Sequence, residues 1–232
     1  MDLRALNYFV RKPIRLWWLL LPLMGFESVV SERPLSPSGQ GFIDRDVIGD
    51  WSIATDDQRR PALSIARAET GLLEVRAYDH DQEGVPYLRY RAYSSRLGED
   101  TYGNLELVGY GCVDCDGSQL TRIRTEVFDP LSQIVGRTGA TCTFILVKYE
   151  HTADDRLIVY PYGDGDFVKL AIEQQRLAGR LFGNNAGKLA GEPCITDTAE
   201  RLREFYAQNA AALFPEAGAE AFVRQHGVAT SQ

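Results

Sequence analysis

Cysteine is scarce, four residues in 232, which excludes a scaffold built mainly from disulfides. Histidine is scarcer still, three residues, and neither Gly-x-Ser-x-Gly nor His-Glu-x-x-His occurs. The nucleophile-elbow hydrolases and the zincin proteases are thereby excluded. Basic residues are in deficit, 25 Lys and Arg against 32 Asp and Glu. A net charge of −7 lacks the positive field that a general nucleic-acid binder needs. Internal repeats are absent, and no apolar run reaches the roughly 20 residues with which a helix crosses hydrocarbon. What is present, 44% apolar and 25% charged residues, is the composition of an ordinary globular chain with one good-sized core.

Residues 1–33 differ from the rest. Arg4, Arg11, Lys12 and Arg15 precede an uncharged run that holds Leu16, Trp17, Trp18, Leu19, Leu20, Leu21, Leu23 and Phe26. A basic flank followed by an apolar core is the order of a secretory leader. Val29 and Ser31 are the small residues before a possible cut, while Glu27 ends the run. Two readings stay open: a cleaved signal peptide, or an uncleaved N-terminal helix that anchors the chain, with Leu3, Leu6, Phe9 and Val10 along the membrane surface and the tryptophans at its interface. Both place the C-terminal domain outside a bacterial inner membrane, in an oxidising compartment.

Residues 34–47 are rich in Pro, Ser and Gly and read as an extended linker. From 48 onward, turn signals recur every 8–15 residues. The alternation predicts strands over 48–54, 62–68, 72–78, 87–93, 105–110, 120–128, 141–149 and 156–160. Helices are expected near 166–175, and after Thr196, where Asp197 as cap and Glu200 form a capping-box pattern before Leu202, Phe205, Tyr206, Ala210 and Leu213. Residues 215–232 read as a loosely ordered tail. The fold class is mainly β, an antiparallel barrel with a C-terminal helix over 48–214.

Gly49-Asp50-Trp51 opens the first strand after the linker. This resembles the Gly-x-Trp of lipocalin-type barrels, and the order of strands then helix is similar over 48–214. The resemblance implies that Trp51 plugs one end of the barrel, and it hints at an apolar ligand. A Thr-Asp-Tyr motif does not occur, and the late Arg that covers the Trp in that family is unassigned. The chain looks most like the small exported barrels of bacteria.

Cys112-Val113-Asp114-Cys115 sits among glycines and reads as a loop disulfide. Redox use is disfavoured by Asp114 and Asp116, which oppose a thiolate, and by the absence of a predicted helix start. Cys142 and Cys194 form the remaining even pair, expected to tie the terminal helix to the barrel; a zinc site of all four would lack a second knuckle. Asp79-His80-Asp81-Gln82-Glu83-Gly84 imitates half of an EF-hand loop but has Tyr90 at the twelfth position, where a Glu is required. His80, His151 and His226 fall in turns and tail, and Glu126 and Asp129 lack a predictable partner. Tyr and Arg recur over 87–93 and at Arg122, Arg124 and Tyr149, a stripe that suits either a solvated face or a partner.

The expectation is a non-catalytic accessory or scaffolding subunit. Its anchor would sit in the inner membrane and its periplasmic barrel would contact subunits of a membrane complex, without cofactor, metal or nucleic acid. A carrier of a small apolar ligand is the alternative, and a thiol–disulfide protein the third reading.

Overall fold

The computed structural model of the protein describes residues 29–225 except 38, 57–59, 80–84, 125–141, 161, 163–164 and 183–190. Residues 1–28, with the signal or anchor residues expected there, lie outside them. The strands are β1 (Val30–Ser31), β2 (Gly49–Ile53), β3 (Leu63–Arg67), β4 (Leu73–Tyr78), β5 (Val85–Leu97), β6 (Asp100–Val113), β7 (Phe144–His151), β8 (Arg156–Tyr160), β9 (Gly179–Leu181), β10 (Pro193–Ile195) and β11 (Glu220–Arg224). The helices are α1 (Gly117–Ile123), α2 (Gly165–Glu173) and α3 (Ala199–Leu213).

Each strand from β2 to β8 pairs antiparallel with the next. β11 then enters between β8 and β2, with Phe222 opposite both Leu157 and Ile53. These eight strands close into a barrel. Period-two alternation turns Trp51, Leu63, Ile65, Leu88, Tyr90 and Phe222 into one interior core.

A second core lies on the outer wall. Tyr102 and Leu146 alternate with the inward Gly103 and Val147, so they point away from the interior and receive Leu202, Phe205, Tyr206 and Leu213 of α3. The rings of Tyr102 and Tyr206 meet edge to face at 6.0 Å.

A small satellite sheet branches from β7. β1 runs between β7 and β10, antiparallel to the first and parallel to the second, and β9 completes it. The Cys142–Cys194 bridge, with its Cα atoms 6.1 Å apart, joins the approach to β7 to β10.

Four expectations need correction. The linker is a strap across the barrel: Leu35 is fully buried, its N–H donates to Asn104 Oδ1 at 2.8 Å, and Phe42 bridges Ser94. The sequence lacked periodicity there because each contact is made singly. Residues 117–123 are helix rather than strand, because Asp116 accepts from the Ser118 and Gln119 N–H groups and Gln119 answers in a capping box. The cap outweighs the Leu/Arg alternation, and 125–128 lie outside the described residues. The N-cap of α3 is Thr198; Asp197 instead accepts from the Ala178 and Thr198 N–H groups, each at 2.9 Å. The tail contains β11, whose Phe222 is fully buried. Its small flanking residues hid a strand that depends on two neighbours for its pairing.

Two truncations check the importance of β11. Ending the chain at Gln225 is expected to leave the cooperative urea transition intact. Ending it at Ala219 is expected to abolish it, because two strand edges and the interior lose their cover.

Candidate functional site: the barrel interior, its strapped end and its outer face

Residues 42–48 cross the end of the barrel at which the β5–β6 and β7–β8 turns lie. Phe42 pairs with Ser94 of β5, Asp44 accepts from the Tyr149 hydroxyl of β7 at 2.9 Å, and the carbonyls of Asp46 and Ile48 accept from Arg224 of β11. Beneath them Trp51 is fully buried, and its Nε1 donates to the Val47 carbonyl at 2.8 Å. The Arg224 guanidinium lies 4.3 Å from the Trp51 ring centroid, a close cation–π contact. Its Nε donates to both carboxylate oxygens of Asp155 at 2.9 Å. Gly49 permits this approach: its φ is +149°, and a Cβ there would stand 2.7 Å from Arg224 Nη1.

His151 completes the cluster, with Nε2 3.0 Å from Asp155 Oδ1 and its ring edge on Trp51. Hydrogen bonds from His151 and then Arg224 hold the Asp155 carboxyl below the usual carboxylate range. These contacts clamp the β7–β8 turn to the end of β11.

Above the clamp the interior is largely filled by its own side chains. Leu63, Ile65, Leu73, Val75, Leu157 and Val159 border a cavity of about 80 Å³. Binding pockets for drug-sized ligands run to roughly 300–1,000 Å³. The Ser94 Oγ and Tyr149 hydroxyl at its edge are 2.6 Å apart and satisfy each other, so the space is apolar and small.

Glu220 begins β11 opposite Val159, on the inward face. It has no hydrogen bond or ion pair among the described residues, and burial pushes its carboxyl up to about 7.

The cysteines pair as Cys112–Cys115 and Cys142–Cys194. The first bridge is half-exposed where β6 ends, and α1 begins two residues after Cys115. A helix start therefore does follow the motif, which corrects the sequence reading. α1 has only seven residues, and Asp114 and Asp116 still flank the sulfurs. Glu32 lies within 4.8 Å of both Cys142 and Cys194; those sulfurs are bonded to each other, and the carboxylate faces Arg180 at 3.4 Å.

His80, Asp81–Gly84, Glu126, Asp129, Asp164 and His226 lie outside the described residues, as do the side chains of Arg122 and Ile123. Asp166 sits in the first turn of α2. Among the described residues, no helix is long and apolar enough to cross a membrane.

Sequence reasoning missed Arg224 and the strap. The Phe222-Val223-Arg224 alternation was the available signal. Comparison with family models, with curated proteins and with solved structures finds no match. The class of protein is therefore defined by its architecture, a closed antiparallel eight-stranded barrel with a C-terminal helix packed on its outside.

Two outcomes are expected. Arg224→Ala should lower stability by about 2–4 kcal/mol in urea unfolding, since it removes a cation–π contact and a paired hydrogen-bond set to Asp155. The raised Glu220 pKa means that the folded state holds its proton more tightly. Its stabilisation is fully present below the ordinary value of 4.5 and is lost as pH rises through about 7. Glu220→Gln should flatten that part of the stability–pH profile.

Proposed function

We propose that this protein is a non-catalytic accessory subunit of a bacterial inner-membrane complex, with an N-terminal anchor that stays attached and a lipocalin-like periplasmic barrel that makes protein–protein contacts. The observation that carries this reading is the placement of residues 29–32. Val29 and Ser31 are buried, β1 is paired on both edges, and the Glu32 N–H donates to the Ile195 carbonyl at 2.9 Å. A cut after Ser31 would remove the central strand of the satellite sheet. A retained leader keeps it, and only Glu27 and Ser28 then separate the apolar run from the fold.

The lipocalin-like reading rests on the Gly49-Asp50-Trp51 opening together with Arg224 over the Trp51 ring. The strap and the outer helix add to it. The small interior favours work done by the outer surface.

The second reading is a carrier of a small apolar ligand, favoured by the cavity of about 80 Å³. Its size restricts the occupant to a few non-hydrogen atoms, fewer than the engineered cavity of about 150 Å³ that takes benzene.

Intact mass of the native protein, extracted from membranes in non-reducing detergent, separates the two. The accessory subunit is expected to retain an N-terminus upstream of Val29 and to co-elute with larger subunits. A mass that begins at Glu32, on a soluble monomer, would overturn it.

A further inference from the structure

The outward face of β4, β5 and β6 is organised in cross-strand rows. One row is Tyr78–Tyr87–Gly111, the next Arg76–Arg89–Gly109, the next Glu74–Arg91–Glu106. The glycines have a steric role. A Cβ at Gly111 would strike the Tyr87 ring, and one at Gly109 would stand 3.1 Å from the Arg89 guanidinium. Tyr87 and Arg89 therefore lie across β6. Tyr87 also packs on Tyr78, with centroids 5.4 Å apart, and Arg76 sits 5.6 Å over its ring. The register shift between Arg89 and Tyr90 leaves Val108 as the extra residue, 38% exposed beside this surface.

Charge on the face is unbalanced. Arg76 and Arg89 are directly opposed, an arrangement of like charges that disfavours the sheet. Glu74 answers Arg76 at 2.7 Å and Glu106 answers Arg91 at 2.6 Å. Arg89 is exposed and has no ion pair or hydrogen bond among the described residues. At the Arg91–Glu106 pair the face falls into a groove of about 300 Å³, which these two border together with Pro34, Leu72, Tyr93 and Phe144. Tyr93 is four residues along β5 from Arg89, roughly 13 Å at the rise of a strand.

We propose that this face binds an extended acidic segment of a partner protein, with one bulky apolar side chain in the Tyr93–Phe144 groove and a carboxylate about four residues away on Arg89. The proposal deepens the accessory-subunit reading and rests on it. A guanidinium laid over a strand offers its fork to a carboxylate, and the flanking tyrosines give rigid contact area at low entropic cost. Phosphate of a nucleic acid would meet the same fork, and the crosslinked species in the test below distinguishes the two.

The test has two arms on the full chain in detergent and in cells. In the first, a fluorescein-labelled Gly/Ser decapeptide with one Leu and an Asp-Glu pair four residues on is titrated against the protein, beside its Lys-Lys counterpart. Binding of the acidic peptide alone is expected, weakened at least tenfold by Arg89→Glu and by Tyr87→Ala and partly kept by Arg89→Lys. Equal binding of both peptides, or no effect of Arg89→Glu, would overturn the proposal.

In the second, p-benzoylphenylalanine replaces Val108, Glu69 or Leu170. An adduct from position 108 that maps to an Asp/Glu-rich segment, and is lost with Arg89→Glu, supports the proposal. An adduct to nucleic acid or to a basic segment refutes it. Adducts from positions 69 or 170 only would remove this face and leave the accessory reading standing; none from any position would remove both.

Discussion

The Arg224 guanidinium is the contact on which the rest of the structure depends. Its chain position, at the end of the last strand, would ordinarily fray. Instead it covers Trp51, is held by Asp155 in the β7–β8 turn, and donates to the strap at Asp46 and Ile48. One side chain thus ties together the first barrel strand, the last, a hairpin and the segment before them. It also holds the end of β11, the strand that bridges β8 and β2 and so closes the barrel. Gly49 is the local concession: a left-handed backbone without a Cβ, where the guanidinium passes.

Closure divides the apolar residues into two bodies, and this division directs where function is placed. The interior is nearly full. The outer core under α3 is packed with aromatic rings, Tyr102, Tyr206 and Phe214, at 5.6–6.0 Å. Among the described residues, the outward face of β4–β6 presents an exposed Arg89 that has no ion pair. The groove beside that face is built partly by the strap, through Pro34, so the segment that shuts the barrel end also shapes the outer surface.

The satellite sheet connects this body to the N-terminus. β1 is only two residues long, yet it is paired on both sides and stapled nearby by Cys142–Cys194. Such a strand cannot be discarded without exposing the edges of β7 and β10 that it pairs. Processing and folding are therefore coupled: whichever end the mature chain has, the fold requires residues from Val29 onward.

Most of the wall was legible in the sequence. Turn residues and alternation located β2, β3, β4, β7 and β8 nearly in place and only the middles of β5 and β6, which run to 13 and 14 residues, because those patterns arise within a strand and its adjacent turn. The buried stripe Leu202, Phe205, Tyr206 and Leu213 was readable for the same reason, whereas the disulfides were inferred from an even cysteine count. The strap, β11, the Thr198 cap and Arg224 were not. Leu35 is buried by partners about 70 or more residues away in the chain, β11 is a strand because two distant edges accept it, and Arg224 matters through Trp51 and Asp155. Sequence by itself determined what depends on local period and turn chemistry. Only the tertiary structure decided how the barrel closes, how full it is and which face stays unpaired, since those depend on residues brought together from opposite ends of the chain.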